Sequence, residues 1–273
     1  MRIVRHRLEA EAGESVEWRP TPNVGGVLQP TYLVMHYTAG RGYASSVDWL
    51  ANPAAKASAH VIVGRDGEIA QLARFDQVTW HAGASRWRGL TGLNAHSIGI
   101  ELDNAGPLVP EAGGATWRAW FGGRYASDVV IEAEHKHGSD YHYWHAFTDV
   151  QIAAAQKVAA LIVDAYRLID VVGHDDIAPG RKLDPGPAFP MGAFKSRVLG
   201  RESDDLPKGR TIARLNLRRG PGAAFEKSGK VLEPKTDLVI RAEQGSWLAV
   251  DVLGDDGAPR RSGWVHGDYV EPA

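Results

Sequence analysis

The sequence predicts an α/β protein, a mixed β-sheet flanked by helices, followed by a small all-β module. Three observations carry this. Short apolar runs that end on polar residues, Tyr32–His36 and Ser97–Leu102, read as buried strands. A long stretch of helical spacing (Val150, Ala154, Val158, Leu161, Ile162, Ala165, Leu168) reads as a helix facing a sheet. Beyond about residue 208 the pattern changes to short strands and turns.

Residues 1 to 30 mix charge with Pro20, Pro22, Gly25, Gly26 and Pro30, and read as an arm leading into the first domain. After the Tyr32–His36 strand, Ser45–Leu50 reads as a helix with a Ser cap that stops at Asn52–Pro53. His60–Val63 and Glu68–Leu72 flank Arg65-Asp66-Gly67, a hairpin signal. A hairpin before the Ser97–Leu102 strand implies more than one strand direction in the sheet. Ala105–His145 holds two Gly-Gly pairs, three Trp and four His, and is expected to be an insertion or long exposed loop beside the cleft. Thr148-Asp149-Val150-Gln151 then offers a capping box for the long helix, which feeds Val171–Val172. The expected organisation is a catalytic domain over 1–200, a linker over 201–208 and a second domain over 209–273.

With 273 residues, 44% hydrophobic and 23% charged, the composition is that of an ordinary globular protein. A net charge of −2 gives no electrostatic reason for a nucleic-acid partner. The absence of cysteine removes disulfides and thiolates, so any metal must be held by His, Asp or Glu. No apolar run is long enough for a membrane span. The N-terminus is basic but lacks the apolar segment of a secretory signal, so the protein is expected to be made in the cytoplasm.

The chemistry concentrates in Gly173–Phe189, GHDDIAPGRKLDPGPAF, whose Gly and Pro content predicts a loop. Its His174 and Asp184 can converge on one metal ion, and a catalytic zinc takes three protein ligands. The best third ligand is His36, at the tip of its strand, and Glu101 sits at the tip of another. The residues by themselves support a metal-dependent hydrolase of two domains. The group His135, His137, His142 and His145 lacks a regular ligand spacing and reads as exposed loop.

Five segments in order, VMHYTAG, SAHVIVGRDGEIAQ, TWHAG, HSIGIELDN and GHDDIAPGRKLDPGPAF, resemble the zinc-dependent N-acetylmuramoyl-L-alanine amidases of the AmpD and phage-lysozyme type. Peptidoglycan-recognition proteins share that fold. The resemblance implies zinc held by His36, His174 and Asp184, with Glu101 as general base and Lys182 as oxyanion stabiliser. It also offers Tyr37, His81, Asn94 and Arg181 as substrate contacts. The implied reaction is hydrolysis of the amide between N-acetylmuramic acid and L-alanine, in peptidoglycan or muropeptides. The segments LNLRRGPG, LVIRAEQGSWLAVDV and SGWVHGDYVEP resemble a bacterial SH3 domain, which implies a wall-binding module. Its Trp247, Trp264 and Tyr269 either line a ligand groove or pack in the core. A wall anchor without a signal peptide favours a monomeric phage or prophage endolysin that reaches the wall after release. The alternatives are a cytoplasmic muropeptide-recycling amidase and a recognition protein that binds without cleaving.

Overall fold

The computed structural model describes residues 1–113, 115–200, 206–254, 257 and 259–273. Residues 201–205, the charged run of the expected linker, lie outside the described residues.

The first domain is built on six strands: β1 (Glu17–Trp18), β2 (Tyr32–Tyr37), β3 (Val61–Val63), β4 (Ile69–Gln71), β5 (Ser97–Leu102) and, later in the chain, β11 (Asp170–Gly173). Their order is β11-β2-β5-β3-β4-β1. Strand β2 runs parallel to both β5 and β11, and β3 runs parallel to β5. Only the β3–β4 hairpin, closed by Arg65-Asp66-Gly67, is antiparallel. The sheet is therefore mixed, as the hairpin placed before β5 predicted. Helix α1 (Tyr43–Leu50) follows β2 and sets Val47 against Ile62, Ala70 and Leu72.

Two-residue alternation splits the sheet into two faces. Leu33 and Met35 of β2, with Ile98, Ile100 and Leu102 of β5, pack against helix α2 (Asp149–Tyr166). Tyr32 and Val34 face the other way, with Val172 and Ile177, and His36 continues that second face. Helix α2 buries Ala155, Val158, Ala159 and Ile162. The larger of these side chains each contribute about 1.5–3 kcal/mol through burial.

The helical stripe is turned relative to its expected position. Val150 is 57% exposed, and the polar Gln151 is buried in its place. The Gln151 amide donates to the carbonyls of Val63 and Asp103, at 3.0 and 2.9 Å, so it binds the helix start to the ends of two strands. Thr148 caps the helix by accepting from Gln151 N–H at 3.0 Å. The other half of a capping box is not formed, because that glutamine side chain is used on the sheet.

The segment expected as an exposed loop folds as a sheet. Strands β6 (Pro107–Pro110), β7 (Thr116–Arg118), β8 (Arg124–Ala126), β9 (Val130–Glu132) and β10 (Tyr143–His145) form five antiparallel strands in the order β8-β7-β6-β10-β9. Trp144 is buried and donates its indole N–H to Ala133 O at 2.9 Å. His135 and His145, expected on the surface, are buried. Strands of three or four residues are too short to display an alternation, and so the sequence hid them.

The one-turn helix α3 (His174–Ile177) follows β11 directly, inside the segment expected to be all loop. Helix α4 (Met191–Val198) closes the domain with Phe194 in the core. The C-terminal residues form β12 (Lys208–Thr211), β13 (Asp237–Gln244), β14 (Trp247–Leu253), β15 (Pro259–His266) and β16 (Val270–Pro272). These make one antiparallel sheet, β15-β14-β13-β12-β16, around Leu217, Leu238, Val250 and Val265. Arg197 of α4 reaches Ser262 Oγ at 3.2 Å and Asp251 at 3.5 Å, linking this module to the first domain.

Candidate metal centre and cleft

Parallel strands that end together place their last side chains at one edge, where open α/β sheets commonly bind ligands. Here His36 of β2 is paired in register with Glu101 of β5, so both side chains leave the sheet on the same face. His174 is the first residue beyond β11, on the other side of β2. The loop after α3 returns to the same place, and Asp175 N–H donates to Asp184 O at 2.7 Å. That bond ties together the two ligand-bearing parts of the segment.

Three atoms converge as a result. His36 Nδ1, His174 Nδ1 and Asp184 Oδ2 lie 2.9 Å from one another, and all three residues are buried. Ring protons follow from their acceptors. His174 Nε2 donates to Ala82 O at 3.0 Å, which leaves its Nδ1 bare. His81 Nε2 donates to Ser97 O at 3.3 Å, so His81 Nδ1 is an acceptor. His36 Nε2, 2.9 Å away, must then donate to it, leaving His36 Nδ1 bare as well. Burial and the neighbouring His174 push His36 down to about 4, so it is neutral near pH 7. In these tautomers two imidazole lone pairs and a carboxylate oxygen face one point. A cation satisfies that arrangement, and neutral His with carboxylate is a donor set that zinc accepts. Among the described residues this is the one group of three or more His, Asp or Glu with that convergence.

His81 stands behind His36 as well as on the cleft wall, and Gly99 makes room for it. A Cβ at Gly99 would lie 2.6 Å from His81 Cγ. Along β5 the site-facing positions therefore have distinct tasks. Ser97 receives the His81 proton donor, Gly99 admits the ring, and Glu101 enters the cleft.

Glu101 Oε2 is buried without a hydrogen-bond partner. Burial, and then the nearby Asp184 charge, push its carboxyl up to about 8, against a smaller opposing effect of Lys182. A carboxyl held near neutrality beside an attacking group suits proton transfer. Lys182 and Tyr37 also line the cleft, whose volume is about 630 Å³. Burial raises the Tyr37 phenol well above its ordinary value.

Arg181 lines the cleft, but its guanidinium is already engaged, with Nη2 at 2.7 Å from both Ala82 O and Ala84 O. Asn94 is outside the lining residues and accepts from Ala82 N–H at 2.6 Å. Both therefore hold the 82–84 loop that carries the His174 acceptor.

Sequence reasoning missed several supports. Lys136 of the insertion lies 2.8 Å from Asp175 Oδ1 and 2.6 Å from Asp176 Oδ1, behind His174. Trp49, Trp80 and Trp120 line the cleft and are exposed. Isolated tryptophans carry no spacing signal, and Lys136 meets Asp175 only through the tertiary fold.

A profile of the N-acetylmuramoyl-L-alanine amidase family matches residues 26–187. The chain is 34% identical to the 1,6-anhydro-N-acetylmuramyl-L-alanine amidase AmpD of Escherichia coli K12 over 145 residues, 52% of this chain and 59% of that protein. It is 34% identical to the N-acetylmuramoyl-L-alanine amidase AmiD of the same strain over 177 residues, 62% of this chain and 53% of that one. The chain thus spans between half and three fifths of the length of these curated relatives. The crystal structure of a selenomethionine AmpD derivative aligns with a TM-score of 0.47 at 26% identity, covering 69% of this chain and 94% of that one. The profile covers the centre and every strand that builds it: the chain belongs to the N-acetylmuramoyl-L-alanine amidase family.

Proposed function

We propose that the protein hydrolyses the amide between the lactyl carbonyl of N-acetylmuramic acid and L-alanine in peptidoglycan-derived muropeptides. The observation that carries this reading is the convergence of two imidazoles and a carboxylate beside Glu101, whose Oε2 is buried without a partner. A bound zinc ion would supply Lewis acidity, polarising the carbonyl and acidifying water. His36, His174 and Asp184 would hold it, with His81 and Ala82 O fixing the two imidazole tautomers. Glu101, whose ionised form a cation bound beside it would favour, takes a proton from the attacking water and returns it to the departing L-alanine nitrogen. Lys182 offers positive charge to the carbonyl oxygen as that oxygen becomes anionic. Water adds, the C–N bond breaks, and a muramoyl carboxylate and a free stem peptide remain.

Relatives named for 1,6-anhydro-muramyl substrates support a recycling-type amidase better than the endolysin expected from the domain order. No helix among the described residues is long and apolar enough to cross a membrane. The C-terminal antiparallel sheet is read as an SH3-like module that keeps the catalytic domain near glycan material.

The test is mass spectrometry of products from soluble 1,6-anhydro-muropeptide and from intact peptidoglycan, with chelator and after zinc is restored. Free stem peptide that disappears with chelator and returns with zinc is expected, the soluble substrate reacting faster. Stem peptide released from the intact wall alone would restore the endolysin reading. No release from either substrate with zinc present would remove the amidase proposal.

A further inference from the structure

The cleft that holds the metal centre is also lined by three tryptophans. Trp49 on α1 is 55% exposed, Trp80 beside His81 is 39% exposed, and Trp120 at the β7–β8 turn is 78% exposed. A tryptophan left in water forgoes a large hydrophobic gain, so three on one cleft form an exposed apolar patch of the kind that marks a ligand groove. Trp120 is also held in place, since its indole N–H donates to Ala39 O at 2.8 Å. The ring is thereby fixed across the β2–α1 loop, and part of the ordering cost of binding is met beforehand. Ser46 Oγ is buried on the cleft with no hydrogen-bond partner, in space that a Cβ at Gly40 would fill at 2.4 Å.

Flat apolar faces match a pyranose ring, which has an apolar C–H face and a polar rim. Arg41 lines the same cleft and offers a cation to a stem-peptide carboxylate, which leaves the three uncharged ring faces to the saccharide. We propose that Trp49, Trp80 and Trp120 form subsites for the β-linked amino-sugar chain that continues from the muramoyl unit. The enzyme would then select substrates by the length of attached saccharide as well as by the amide. This rests on the amidase reading for the position of the muramoyl unit, yet saccharide binding can be measured without hydrolysis.

The experiment is calorimetric titration of the full chain, with chelator present, using peptide-free β-1,4-linked N-acetylglucosamine dimer and hexamer. The hexamer is expected to bind about tenfold more tightly than the dimer. Trp120→Ala and Trp49→Ala should each weaken hexamer binding by about tenfold, and Trp120→Phe, which keeps a ring, should recover much of it. Unchanged melting temperatures would show that the exposed replacements leave the fold intact. In the zinc-loaded enzyme, Trp120→Ala should lower the ratio of kcat/KM for a longer-glycan muropeptide over that for a single muramoyl peptide. No hexamer binding, or binding indifferent to both alanine variants, would overturn the proposal. Competition by free stem peptide would instead give the tryptophan wall to the peptide. Hexamer binding by a protein with no amidase activity would keep the subsites and remove the reaction.

Discussion

The mixed six-stranded sheet and the five-stranded insertion contribute to one cleft in different ways. The sheet holds its reactive side chains through strand register, with His36 opposite Glu101 and His174 one residue past β11. The insertion meets the centre through side-chain contacts: Lys136 and His135 to Asp175, Lys136 to Asp176, Trp120 to Ala39, and Trp144 packed with Tyr37 and Leu183. Register is enforced by every ladder bond and by a buried apolar face, whereas a tip contact rests on one or two bonds. The proposed chemistry therefore lies where the backbone over-determines position, and Trp120 of the proposed saccharide wall lies where it does not.

The sharpest way to test this division is to remove a metal ligand. His174→Ala or Asp184→Ala should abolish tight zinc binding in a chelator competition and cut hydrolysis by at least about 1,000-fold, with the far-ultraviolet spectrum kept.

Next comes Glu101→Gln, which should lower kcat by about 100- to 10,000-fold while zinc still binds. The same variant should be more stable than the parent when both are chelated. Glu101 titrates at about 8 in the fold against 4.5 as its ordinary value, so the folded protein retains a proton that the unfolded chain releases. Native stability therefore falls as pH rises through that window, and glutamine escapes the loss. Thermal melts at pH 5 and 8 should show the gap growing by about 3–4 kcal/mol. A gap that shrinks as pH rises would show that Glu101 is ionised in the apo fold.

Gly99→Ala should displace His81 and weaken zinc affinity by about 10- to 100-fold, the range expected for a lost outer partner. Unchanged affinity would mean that the His81 contact does not fix the His36 tautomer.

The smallest effect belongs to the insertion. Lys136→Ala leaves Asp175 buried without its cation and should cost about 1–3 kcal/mol in a denaturant melt, with zinc affinity little changed. Zinc affinity lost along with stability would break the comparison, because the insertion would then be part of the metal centre.

How much of this was legible follows the same line. The strand tips His36 and Glu101 could be read because each ends a short apolar run, and the ligand segment because Gly and Pro announce a loop. The hairpin and α2 were legible from turn chemistry and period. The insertion was not, since its strands of three or four residues depend on pairing across long separations. Gln151 was misread for a related reason. Its side chain could cap the helix or hold the sheet, and only the position of Val63 O and Asp103 O decides between them. His81 could be placed near the cleft from its motif, but the vacancy at Gly99 that seats it behind His36 is a tertiary fact.

The register of β2 on β5 also sets which length changes the chain can survive. Inserting one residue into either strand turns its remaining side chains over, sending a Glu101 or His36 toward α2 and an apolar residue into the cleft. Inserting two restores the facing but shifts the group by about 7 Å along the strand, beyond the reach of its partners. These two six-residue strands have one permitted length between their first apolar residue and their last reactive one.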